Sequence, residues 1–139
     1  MTWQILDGSC RISITLFEAS AAMDAGPIYL QRMIDLQRTE LVEEWRALQA
    51  EVTFALCLEW LHRYIKVLMQ AQPRQGEASH YRRRRPADSQ LDPQRPLAEQ
   101  FNLLRVVDNQ RYQAFVQLRG RRYALQIQPL DHDRPAGPH

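Results

Sequence analysis

Apolar and polar positions follow two different rhythms along the chain. Residues 11–18, Arg-Ile-Ser-Ile-Thr-Leu-Phe-Glu, alternate and are rich in β-branched types, the pattern of a half-buried strand. Residues 27–34, Pro-Ile-Tyr-Leu-Gln-Arg-Met-Ile, predict a second strand. It should begin at Gly26-Pro27, because a residue before proline is pushed to extended or turn geometry. Residues 2–6 read as the tail of a helix closed by Asp7-Gly8, glycine being the usual residue just past a helix end. Further on, Leu41, Trp45, Leu48, Val52, Leu56, Trp60, Tyr64 and Val67 recur at three- and four-residue steps. That period predicts one long amphipathic helix over about residues 40–70. Thr39 is placed to cap it, with Glu40, Glu43 and Glu44 where the helix dipole favours acid.

The pattern then breaks. Residues 73–96 hold four prolines, Gly76 and the run Arg82-Arg83-Arg84-Arg85, and read as an Arg/Pro-rich linker. A shorter helix follows over residues 97–107. Residues 114–118 and 122–127 form a predicted β-hairpin turning at Gly120. The resulting division is residues 1–72, a linker at 73–96, a small helix-plus-hairpin part at 97–130 and a polar tail at 131–139.

Composition narrows the function classes. With 45% hydrophobic and 24% charged residues, the chain is neither wholly disordered nor collagen-like. No run of about 18 apolar residues is present, so no membrane span is expected. The opening Met1-Thr2-Trp3-Gln4 lacks the basic and apolar segments of a signal peptide, and two cysteines make no disulfide framework. A reducing, cytoplasmic location is the expectation. Charge is uneven: residues 1–72 carry six basic and nine acidic side chains, residues 73–139 twelve and seven. Lys66 is the single lysine, and arginine favours planar partners such as phosphate or carboxylate.

Few residues offer chemistry. His62, His80, His132 and His139 show no metal-ligand spacing, and no phosphate loop or nucleophile elbow occurs. The informative piece is Met23-Asp24-Ala25-Gly26-Pro27, between the two strands. A carboxylate there can take or orient a proton, and small neighbours let a ligand approach the backbone. Spacing alone favours an ordinary turn. The Arg82–Arg85 run is either a solvated linker face or a bidentate site for a diphosphate. Near-neutral total charge and the lack of interleaved aromatics argue against nucleic acid.

Three groups of residues together carry a resemblance. They are Trp3-Gln4-Ile5-Leu6-Asp7-Gly8 with Ile14-Thr15-Leu16-Phe17-Glu18, then the Asp24 segment, then Arg85-Pro86-Ala87-Asp88-Ser89 with Phe101-Asn102-Leu103-Leu104-Arg105. Over about residues 2–128 the chain resembles the second half of the formyltransferase catalytic domain, shared by glycinamide ribonucleotide, methionyl-tRNA and sugar N-formyltransferases. The implied fold class is α/β. It is the C-terminal half of a Rossmann-like formyltransferase domain (two strands and a long helix), followed by a linker, a short helix and a small β-hairpin. The implied reaction moves a formyl group from 10-formyltetrahydrofolate to an amine. The Arg-Pro-x-Asp-Ser segment points to the amine of a nucleotide-linked amino sugar, with a methionyl-tRNA acceptor as the alternative.

By the same resemblance Asp24 matches the catalytic aspartate, and Arg84, Arg85 and Asp88 are candidates for substrate binding. The family pairs that aspartate with an asparagine and a histidine from an Asn-x-His-Pro-Ser segment that these 139 residues do not contain. Ser13 stands where the family commonly has glycine. The expectation is therefore a truncated or partial enzyme, inactive by itself. The favoured expectation is that the natural product is longer than this sequence or that its gene is broken; otherwise another chain or self-association supplies the missing half, or the chain is a non-catalytic remnant or interaction module. Trp3, Ile14, Leu16, Ile28 and Leu30 are expected to lack partners.

Overall fold

A computed structural model of the protein describes residues 1–21, 26–74 and 81–130. These divide into two units, Met1–Arg82 and Arg83–His139.

The first unit opens with helix α1 (Thr2–Leu6), whose Ile5 is buried. Gly8 terminates it at φ 83°, and its N–H donates back to the Ile5 carbonyl at 3.0 Å. That left-handed position is why glycine follows Asp7. Strand β1 (Arg11–Phe17) pairs antiparallel with β2 (Ile28–Asp35), in register from Arg11 opposite Asp35 to Leu16 opposite Leu30. The pleat sorts side chains by face. Ile12 and Ile34 lie opposite each other and are buried. On the other face Arg11 meets Asp35 at 3.5 Å, and Gln31 donates to the Thr15 hydroxyl at 3.1 Å.

Helix α2 (Val42–His62) packs on this ribbon and buries Val42, Trp45 and Leu56. It starts later than Thr39 suggests. The cap is made instead by Glu44, whose carboxylate reaches back to the Leu41 N–H at 2.8 Å. A glutamate at the third helical position satisfies one of the orphan donors at a helix start. The expected single helix is also interrupted at Arg63, after which α3 (Tyr64–Met69) continues. The interruption is one residue wide. Arg63 N–H still donates to Glu59 C=O at 3.0 Å, and Val67 N–H to Arg63 C=O at 2.9 Å. The chain then returns to the start of β2, where Ile28 and Gln72 exchange backbone hydrogen bonds at 2.7 and 2.9 Å.

Trp3, Ile14, Leu16, Ile28 and Leu30 are half-buried, not stranded. Trp3 stacks on Tyr81 at 6.0 Å between ring centroids and donates its indole N–H to the Arg82 carbonyl at 2.9 Å. The large exposed apolar side chains of this unit lie mostly on α2 and α3.

In the second unit, residues 86–91 contribute a 3₁₀ helix (Pro86–Ser89) and the short strand β3 (Gln90–Leu91), which the proline-rich composition does not announce. Strand β3 pairs parallel with β4 (Ala114–Leu118), and β4 pairs antiparallel with β5 (Arg121–Leu125). The predicted hairpin turns at Arg119 (φ 50°) and Gly120 (φ 80°), the two positive angles of a type I′ turn. The expected short helix forms as a 3₁₀ turn (Leu97–Gln100) running into α4 (Phe101–Arg105). Leu91, Leu104, Val107 and Ala114 make the core, with Phe101, Leu103, Leu125 and Ile127 against it.

Cys10 and Cys57 are free thiols. No helix among the described residues is long and apolar enough to cross a membrane.

Candidate functional site

The base of the Asp24 segment is tightly drawn. Glu18 N–H donates to the Pro27 carbonyl at 2.9 Å, closing the ends of the β1–β2 connection. Gly26 is buried against Glu18: a Cβ added there would lie 1.9 Å from the Glu18 carbonyl oxygen. Among the described residues, then, the group that needs the small residue before Pro27 is the chain's own backbone. Asp24 itself lies outside the described residues, as does His80.

Around that base the polar groups are organised. The Tyr29 hydroxyl donates to the Glu18 carboxylate at 3.0 Å. Desolvation first, then this hydrogen bond and the charge of Glu18, push the Tyr29 phenol above its ordinary pKa. It therefore stays a proton donor throughout the neutral range. An open groove of about 680 Å³ runs along Ile28–Gln31 and is bounded by Gln70, Gln72 and Pro73. Its amides offer both donors and acceptors to a polar ligand. Nothing in the sequence pattern marks this groove, because Gln70, Gln72 and Pro73 join Ile28 only through the backbone pairing of Ile28 with Gln72.

The other three candidates, Arg84, Arg85 and Asp88, come together in one turn of the second unit. Half-buried Arg84 donates to the carbonyls of Val106 (3.3 Å) and Asp88 (3.2 Å) and to the Ser89 hydroxyl (3.3 Å). Asp88 accepts the Arg85 N–H at 2.7 Å and so caps the 3₁₀ helix that begins at Pro86. The Arg85 side chain is exposed. The Arg-Pro-x-Asp-Ser segment is thus a self-capped turn in which Arg84 clamps the chain around it. Two further polar residues hold this unit together. Buried Gln100 accepts from Asp92 N–H and donates to the carbonyls of Asp92 and Arg95. Asn109 bonds both backbone groups of Ile127, at 2.7 and 3.3 Å. Among the described residues no group of three or more His, Cys, Asp or Glu side chains is placed to hold a metal ion.

No family model matches the sequence. Solved structures do. Methionyl-tRNA formyltransferase from Clostridium thermocellum superposes with a TM-score of 0.73 at 19% identity, over 96% of this chain and 57% of that one. A candidate sugar N-formyltransferase from Mycobacterium tuberculosis gives 0.71 at 18%, over 93% of this chain and 58% of that one. HypX from Aquifex aeolicus, in a multiply substituted variant, gives 0.74 at 19%, over 91% of this chain and 23% of that one. The chain spans less than two thirds of each of these proteins. The likeness is one of fold: this is an α/β chain with the architecture of part of the formyltransferase structures.

Proposed function

We propose that the chain is part of a one-carbon transferase that moves a formyl group from 10-formyltetrahydrofolate to the amine of a nucleotide-linked amino sugar, in the cytoplasm. The observation that carries this reading is the fold likeness to formyltransferases with the Asp24 segment set in the connection between β1 and β2. In the reaction the acceptor amine nitrogen bonds to the formyl carbon, the bond from that carbon to the folate nitrogen breaks, and the proton that the amine loses ends on the folate nitrogen. An aspartate at position 24 would receive or direct that proton. The donors that stabilise the oxyanion would come from the Asn-x-His-Pro-Ser segment, carried on a preceding stretch or a complementing chain.

The test begins at the DNA. The frame upstream of Met1 and the neighbouring genes are translated for Asn-x-His-Pro-Ser, and the segment found is co-expressed with this chain. Formyl transfer is then assayed against nucleotide-linked amino sugars and methionyl-tRNA. We expect no turnover by the chain alone, turnover by the pair on the sugar amine, and a loss of about 10²–10⁴-fold in Asp24→Ala. Unchanged turnover in Asp24→Ala, or no activity in any pairing, would overturn the proposal. A methionyl-tRNA acceptor is the second reading, since that enzyme class is matched at a similar TM-score.

A further inference from the structure

The second half of the long helical stretch is apolar on more than the side it buries. Trp45, Leu56 and Val67 are buried in the unit's core. Away from them, Phe54, Leu58, Leu61, Ile65 and Leu68 are all exposed, Phe54 at 70% and Ile65 at 72%. Exposed Tyr64 and Met69 mark the margins of this face. They stand five positions apart, which at 3.6 residues per turn opens an arc of about 140°. The backbone hydrogen bonds through Arg63 carry the helical direction across the break, so α2 and α3 share the face. No Asp, Glu, Lys or Arg falls on the arc between residues 54 and 69. That is the width of stripe by which a helix faces a core, broader than the narrow seam of a coiled pair.

Toward the start of α2 the same arc changes character. There it carries Glu43, Arg46 and Glu51, with Ala47 and Ala50 between them, all exposed. The boundary follows the ribbon beneath. Helix α2 begins beyond Asp35, the last residue of β2, and runs back along that strand. Glu59 accepts from Arg32 at 2.8 Å, and after α3 the chain pairs Gln72 with Ile28. The charged half therefore lies toward the Arg11–Asp35 end of the ribbon. The apolar half lies toward the Glu18–Pro27 end, from which the β1–β2 connection with position 24 emerges. A helix face turned to water carries charge, as residues 43–51 do; the apolar half next to the candidate site does not.

We propose that this face is the seat of the segment that carries Asn-x-His-Pro-Ser. The seat rests on the formyl-transfer reading above and fixes the side from which its oxyanion donors arrive. Two observations favour this occupant. The chain spans 57% and 58% of the two formyltransferase structures it superposes on, so each of those proteins holds a substantial further stretch. That segment also has to bring its asparagine and histidine to the β1–β2 connection, at the end of the ribbon where the apolar face lies. A contact between two copies of this chain carries no such requirement.

The test co-expresses the segment encoded upstream or in a neighbouring gene with the affinity-tagged chain, as wild type, Leu58→Glu, Ile65→Glu and Ala47→Glu. Each variant is checked for its fold by circular dichroism, and both copurification and formyl transfer are read. Wild type and Ala47→Glu, whose change lies in the charged half, should retain the segment one to one and support equal turnover. Leu58→Glu and Ile65→Glu would bury an unpaired carboxylate and should weaken the association at least about a hundredfold. Retention unchanged in both L58E and I65E, with Asp24→Ala still impaired, would overturn the seat and leave formyl transfer standing. A segment held by wild type and lost from both variants, yet inactive on every acceptor, would uphold the seat and overturn the reaction. A wild type that takes no segment and instead sediments as a dimer broken by L58E would overturn the seat in favour of self-association. The absence of any encoded segment would overturn both.

Discussion

Single residues show how closely a short motif can be tied to backbone geometry. Gly26 is the clearest case. With a Cβ at 1.9 Å from the Glu18 carbonyl, Gly26→Ala must push the two strand ends apart. Overpacking of this kind costs about 1–3 kcal/mol and more when backbone must move. We expect Gly26→Ala to lower the urea midpoint with the slope unchanged. Arg119 offers the reverse case. It occupies a left-handed position at φ 50°, where arginine is strained and asparagine is favoured in an Asn-Gly turn. Arg119→Asn should raise stability by about 0.5 kcal/mol, read as a higher melting temperature. Asn109→Ala should do the opposite. It leaves the N–H and C=O of Ile127 without their side-chain partner, a loss of about 1–3 kcal/mol. Gly26 and Gly120 can be read directly from turn chemistry. Asn109 and Gln100 cannot, because their partners are fixed only once the strands and loops have been placed.

At the scale of elements, the contact of α2 with the β1–β2 ribbon is partly electrostatic. Glu59 accepts from Arg32 of β2 at 2.8 Å and also pairs with Arg63 one turn on. The hydrogen bond from Arg32 is the main reason its carboxyl sits below the ordinary glutamate pKa. A carboxyl lowered in the folded state adds stability above its unfolded pKa and loses it as pH falls through the folded value. Melting temperature measured against pH should therefore fall more steeply on the acid side of the ordinary glutamate range in wild type than in Glu59→Gln. Both strands, the hairpin and most of the long helix were legible from period alone, since alternation and three-to-four spacing report directly on one buried face. The start at Val42 was not, because Glu44 outcompetes Thr39 for the role of cap. The break at Arg63 has no proline or glycine to announce it. Strand β3 is two residues long and exists only through its parallel partner β4, beyond the reach of any local pattern.

For the whole molecule, the legible part was the fold; Asp24, on which the expected site turns, lies outside the described residues. The resemblance implied an α/β formyltransferase-type architecture, and the solved structures bear out that level. Expected apolar exposure was misplaced. It was assigned to Trp3 and the strands, whereas Tyr81 stacks on Trp3, α2 packs on both strands, and the exposed apolar side chains lie mostly on α2 and α3. The reason is geometric: a two-stranded ribbon with a helix on one face hides its own apolar residues, and the surplus collects on the side of the helix turned away.

The pinched base between Glu18 and Pro27 carries one more implication. The strand ends are latched to each other there by the Glu18–Pro27 backbone hydrogen bond. The pairing of β1 with β2 therefore does not depend on the identity of the residues that join them. The chemistry proposed for this segment and the folding of the ribbon are thus separable, as in a detachable tool held by a fixed clamp. Grafting a different seven-residue segment between the latched ends should leave the melting temperature near that of wild type while altering whatever the segment does.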